Sequence, residues 1–259
     1  MEQCKSCEAT LAGPYCSQCG QKALTERITL RYIVRSFIEA LTNVEEGFWY
    51  TMRALLTKPG IVAREYLEGK RKPYYHPVRY LLILITVVTL ITLASGVYDL
   101  QQNEILHLQN DALGLQPDES TVANQQKIQE EVKKYLNLVA LLTLPFVSLV
   151  AFWLFRKRAY NYAEHLVMIA FWSAELAVIG LPIQLMFLFF PGIIIYAFPV
   201  SILVSSVYYG IGYRQIFDIG YGQAFTRGLL ANVLGFFLMF IAIMAVTAIG
   251  VAIFVVIFK

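Results

Sequence analysis

Two sets of side chains in this 259-residue sequence could carry chemistry. The first is its four cysteines, Cys4, Cys7, Cys16 and Cys19, spaced C-x2-C-x8-C-x2-C. Each C-x2-C pair can present two thiolates to one ion through a tight turn, and two such turns complete the tetrahedral sulfur site favoured by structural zinc. Gly20 suits the tight backbone after Cys19, and Gly13-Pro14 would turn the connector. No open coordination position is visible, so the expected cofactor is one structural zinc. A redox pair is the rival, but the strand and helix that accompany thioredoxin-like C-x-x-C sites are missing from the pattern. The second set lies in an apolar run, "YNYAEHLVMIAFWSAELAVIGLPIQLMFLFF". There Asn161, Glu164, His165, Met168, Trp172 and Glu175 recur at steps that share one helical face. Glu164 and Glu175 stand eleven residues apart, ~16 Å along a helix axis.

Composition decides what must position these groups. The chain is 58% hydrophobic and 15% charged, against roughly 45–50% and 25% for soluble domains. The excess falls in runs long enough to cross a bilayer, for which ~20 apolar residues suffice. The spacing predicts spans at about 79–97, 135–155, 163–189, 193–213 and 228–258. The fold class expected is therefore all-α: a polytopic helical membrane protein of about five spans with a minimal zinc ribbon at its N-terminus. Three regions follow: the ribbon at 1–22, an amphipathic shoulder at 23–78, and a transmembrane domain at 79–259 with an outer stretch at 98–134. Within that stretch, "TVANQQKIQEEVKKYLN" is expected to extend the second span as a helix, with Val122, Ile128 and Val132 on one stripe.

A carboxylate at the depth of Glu175 is costly unless it is protonated or partnered, and such residues usually face the bundle interior. Asn232, Arg227, Ser201 and Ser205 are the candidate partners. Glu164, His165, Glu175 and Asn232 thus form the expected intramembrane polar site, with Glu164 and His165 also placed to cap a helix. The three histidines, His76, His107 and His165, fall in different regions and cannot form one intramembrane metal cluster. No G-x-S-x-G, Walker or dinucleotide fingerprint occurs, so a non-enzymatic protein is favoured.

The shoulder reads as membrane-surface material. "TERITLRYIVRSFIEALTNV" has apolar residues at helical spacing with Arg27, Arg31 and Arg35 between them, and Thr25 is placed to cap it. Phe48, Trp49 and Tyr50 form a cluster of the kind enriched at headgroup depth. "GKRKPYYHP" then brings Lys70, Arg71, Lys72 and Arg79 in front of the first span, where they could bind anionic lipid headgroups or set orientation alone. Seventeen of the 21 cations fall on one side of the expected spans, which predicts an N-in, C-out topology. The first 22 residues lack the apolar core of a signal peptide, so the cysteines are expected in a reducing compartment. Lys5 and Lys22 face Glu2 and Glu8, which makes no basic patch, and nucleic acid is not an expected partner.

The opening, "YCSQCGQK" above all, resembles short zinc ribbons at the N-termini of bacterial membrane proteins. Together with "PG…REYLEGKRKPYYHPVRYLL" it resembles an uncharacterised family of bacterial membrane proteins, a domain of unknown function. The resemblance covers residues 1 to about 90. It implies a zinc-ribbon start, a multi-span body and a bacterial inner membrane, and it brings no activity. The expected role is a membrane scaffold or adaptor whose ribbon docks a cytosolic protein, with membrane lipid as the other partner. The alternatives are a small transporter or channel subunit using Glu175, and a lipid-headgroup enzyme using Glu164 and His165.

Overall fold

The structure, a computed structural model, describes residues 45–70, 73–114 and 118–257, besides Thr10 and Ser17. The cysteine knuckle, the amphipathic segment at 25–44, Arg71 and Lys72 lie outside the described residues. Residues 1–45 and 46–259 form separate units. The second is all-helical over its described length, apart from connecting turns.

Helices α1 (Glu45–Thr57) and α2 (Pro59–Leu67) make the shoulder. Lys58 leaves helical geometry between them, and Pro59 opens α2 at the position where a missing N–H costs nothing. The first free amides of α2 are satisfied from far along the chain: Gly60 N–H and Ile61 N–H donate to Gln215 Oε1 at 2.8 and 3.4 Å. Gly69, with φ of 103°, lets the chain turn out of α2.

Helix α3 (Pro77–Ala94) also opens on a proline. It is followed by α4 (Val97–Leu113), α5 (Glu119–Lys134), α6 (Leu136–Leu154) and α7 (Tyr162–Met186). A 3-10 turn at Pro191–Tyr196 leads into α8 (Ala197–Phe217), and α9 (Tyr221–Ile257) closes the described chain. Five of these segments are long and apolar enough to cross a membrane: Pro77–Ala94, Leu136–Leu154, Tyr162–Met186, Pro191–Phe217 and Tyr221–Gly250.

The expected spans are present with shifted ends. The last begins seven residues before the expected 228, because Arg227 does not stop the helix: its guanidinium lies on the Phe155 ring at 4.7 Å. The outer stretch holds two helices rather than one. Polar α4 is a helix that the residue pattern did not announce, and α5 does not run on into α6, since Tyr135 departs from helical geometry (φ −112°, ψ 9°). Lys133 ties the pair together by ion pairs to Asp99 of α4 (2.5 Å) and Glu130 of α5 (2.7 Å). Val122, Ile128 and Val132 are exposed.

Helix α7 is the hub, packing against α2, α3, α6 and α8, while α9 packs against α6 and α8. Tyr80 meets Glu175 and Thr92 meets Gln184, so α3 and α7 run parallel. Short connections at 155–161 and 218–220 make α6/α7 and α8/α9 antiparallel neighbours. The starts of α7 and α9 and the ends of α6 and α8 therefore share one end of the bundle, the end on which the shoulder packs, while α3 begins level with the middle of α7. Small residues allow the closest crossings. A Cβ at Gly228 would lie 2.6 Å from Ser206 O, and one at Gly235 would lie 2.7 Å from the Val147 side chain.

Candidate functional site

Glu175 is fully buried on α7. Tyr80, in the first turn of α3, donates its hydroxyl to Glu175 Oε2, while Oε1 has no hydrogen-bond partner among the described residues. No described cation forms an ion pair with it. The expected partners lie elsewhere. Asn232 Nδ2 donates to Ser205 Oγ at 2.7 Å, Ser201 and Ser205 hydroxyls return to their own helix backbone, and Arg227 sits on Phe155. The reason is topological: α7 is packed by α3, whereas Asn232 and Arg227 belong to α9, which rests on α6 and α8.

The four residues expected to make one polar site are thus dispersed. Glu164 is committed to a capping box: Asn161 Oδ1 accepts from Glu164 N–H at 3.0 Å, and Glu164 Oε2 accepts from Asn161 N–H at 2.6 Å. His165 is fully buried beside the rings of Phe152, Phe155 and Phe217, 6.1 to 6.2 Å away. Neither of its nitrogens has a partner among the described residues. Glu164 and His165 are neighbours in sequence but do not form an acid–base pair.

What surrounds Glu175 instead is a set of directed bonds between the spans and the shoulder. Trp172 Nε1 donates to Pro59 O at 3.0 Å, Tyr208 donates to Leu55 O at 2.9 Å, and Arg64 Nη2 donates to Ile216 O at 3.1 Å. Ser173 and Tyr209 share a bond of 3.0 Å beside them. Phe48 of α1 packs on Tyr80 (5.2 Å), and Tyr66 of α2 meets Phe171 edge-on (5.3 Å). Gly60 and Gly212 bring the backbones of α2 and α8 together: a Cβ on Gly60 would stand 2.3 Å from Gly212 O. Proline followed by glycine marks a helix break, but that local pattern does not announce the pair as the contact point of the shoulder.

Of the headgroup candidates, Lys70 pairs with Glu65 at 3.3 Å and Arg79 is exposed in the first turn of α3. Tyr74 donates to Glu65 Oε2 at 2.5 Å. That bond, and then Lys70, hold the Glu65 carboxyl below its ordinary range, while partial burial and then Glu65 push the Tyr74 phenol up. Among the described residues no group of three or more His, Cys, Asp or Glu side chains could hold a metal ion.

The fold defines a helical, polytopic protein of the membrane class. Residues 45–89 match the family described as Protein of unknown function (DUF3667). That segment contains α1, α2 and the first thirteen residues of α3, hence Leu55, Pro59, Gly60 and Arg64, through which the shoulder is bonded to the spans, and Tyr80, which meets Glu175. No curated protein and no solved structure matches the chain.

Proposed function

We propose that this chain is a non-enzymatic membrane scaffold: the shoulder is a fixed platform, and the zinc ribbon that precedes it docks a cytosolic protein. The observation that carries the reading is the set of bonds that tie α1 and α2 to α7 and α8, each between a side chain and backbone more than 100 residues away. Backbone groups satisfied in this way leave the shoulder little freedom to swing as a gate. In this reading the cation-rich end of the bundle faces the cytosol of a bacterial cell, the N-terminus is inside, the C-terminus is outside, and Cys4, Cys7, Cys16 and Cys19 hold the zinc. The matched uncharacterised family is consistent with it and brings no chemistry.

Transport is the second reading, favoured by one observation: Glu175 Oε1 is buried with no partner among the described residues. The headgroup-enzyme reading is the third and has no specific observation in its favour: Glu164 takes part in the capping box and His165 lies among aromatic rings.

Affinity purification in mild detergent, with elemental analysis and quantitative mass spectrometry, decides between them. A Cys16→Ser, Cys19→Ser variant should lose its zinc and at least one co-purifying cytosolic protein while keeping its spans folded; an unchanged set of proteins overturns the scaffold. Reconstituted Glu175→Gln protein should match wild type in proton and cation flux. A wild-type flux that this substitution abolishes establishes transport instead.

A further inference from the structure

A second site lies at the same end of the bundle, away from Glu175. A cavity of about 510 Å³ opens where the chain leaves α6, and Arg227 of α9 forms part of its wall. Arg156, Lys157 and Arg158 line it from one element and Arg227 from another, with Trp153 and Phe155 as its aromatic components. None of the four cations forms an ion pair with a described carboxylate. Asp218, in the turn before α9, is exposed and forms no ion pair with them.

Cations at the end of α6 have an ordinary explanation, since they offset the negative end of that helix dipole and favour one orientation in the membrane. The dipole does not explain Arg227, and orientation would need only its charge, not its placement. Arg227 stands two turns into α9, towards the positive end of its helix, where the dipole gives a cation nothing. It is half-buried, and its guanidinium is fixed over Phe155 at 4.7 Å. A partly desolvated guanidinium held over a ring in this way makes no hydrogen bond to a described residue, and its fork of N–H donors matches the oxygens of a phosphate. Arg156 lies 6.0 Å from the Trp153 ring, which is exposed on the apolar surface of α6. An indole in that position is at home at headgroup depth.

We infer that this cavity binds a phosphate group, and that the phosphate is the headgroup of an anionic phospholipid. The chemistry shared with free phosphate is a multiply hydrogen-bonding anion. What favours the lipid is the apolar, outward-facing Trp153 wall beside the cations, which an acyl chain could follow and a free anion would not use. The site is distinct from the Lys70 and Arg79 surface, where Lys70 is already paired with Glu65.

The test uses full-length protein in detergent, titrated with phosphatidylglycerol, phosphatidylcholine or inorganic phosphate and read by native mass spectrometry. Wild type should retain phosphatidylglycerol in preference to phosphatidylcholine. Arg156→Gln combined with Arg227→Gln should weaken that retention by roughly tenfold or more, since each cation near an anionic headgroup contributes on the order of 1 kcal/mol. Arg227→Lys keeps the charge and the orientation signal but removes the fork, so it should be intermediate with unchanged helix content. Lys70→Gln with Arg79→Gln should leave retention unchanged. Equal retention by wild type and the Arg156→Gln, Arg227→Gln variant overturns the inference, as does an equal loss in the Lys70→Gln, Arg79→Gln control. Binding of inorganic phosphate without preference for phosphatidylglycerol overturns the lipid and leaves a phosphate site.

Discussion

Helices α7 and α9 are both long and apolar enough to cross a membrane, yet 39% of the apolar window in α7 is buried inside the protein against 17% in α9. The difference lies in what each helix does with its polar and small residues. α7 spends Trp172, Ser173 and Glu175 on bonds to three other elements. α9 makes its close contacts through Gly228, Gly235 and Asn232, and beyond them Phe237, Phe240, Met244, Val246 and Ile249 are all exposed. In lipid such exposed apolar side chains cost nothing, so association between helices must come from close packing and polar bonds. The shoulder end of the bundle has both, whereas the far half of α9 offers a surface to lipid.

The contrast can be broken most directly at glycine. Gly60→Val would drive a side chain into Gly212 O and Gln215 Cβ, 2.3 and 2.5 Å from a Cβ at that position. Because one of those obstacles is backbone, the cost should be at least about 3 kcal/mol, visible as loss of monodisperse protein in detergent. Gly250→Ala in α9 meets nothing within 4 Å and should be neutral or stabilising by up to about 1 kcal/mol in a thermal melt. Equal damage from the two would show that the ends of the bundle are held alike.

A smaller effect is expected at Trp172. Phenylalanine there keeps most of the packing but leaves the Pro59 carbonyl without its donor, at a cost of about 1–3 kcal/mol. Thermal unfolding should reveal it, and limited proteolysis should show faster cleavage near the turn after α2. Phe240→Ala, at an exposed position of α9, should change stability by less than about 0.5 kcal/mol. Unaltered cleavage in Trp172→Phe would mean that this bond does not hold the shoulder.

The smallest effect is a pH dependence outside the spans. The Glu65 carboxyl lies below its usual value of 4.5, mainly through the Tyr74 bond. Its contribution is therefore present above that value and lost as the pH falls through the lower value it has in the folded protein. Cleavage between α2 and α3 should rise on acidification below about 4.5, and Tyr74→Phe should show the higher rate already near neutral pH. A flat profile in wild type would mean that Glu65 does not steady the turn.

Several features were legible because they are local. The five apolar segments are set by composition over about 20 residues, the turn at Pro59-Gly60 by proline and glycine, and the Glu164 cap by a spacing of three residues. A helical face placed Glu175 among inward-facing residues, and burial agrees. Its partner was a different matter. Tyr80 lies 95 residues away in sequence, and Gln215, which caps α2, lies 155 residues from Gly60. Such pairs depend on which helices touch, and hydropathy carries no information about that. Contacts such as Gly60 against Gly212 and Gly228 against Ser206 set the spacing of the backbones, and the spacing decides which polar groups meet. The sequence by itself determined that the chain is helical and apolar enough for a membrane. Only the tertiary structure decided that Glu175 turns to α3, that the shoulder is bonded to the bundle, and that Arg227 joins the cations at the end of α6, because each joins residues whose separation along the chain exceeds any local pattern.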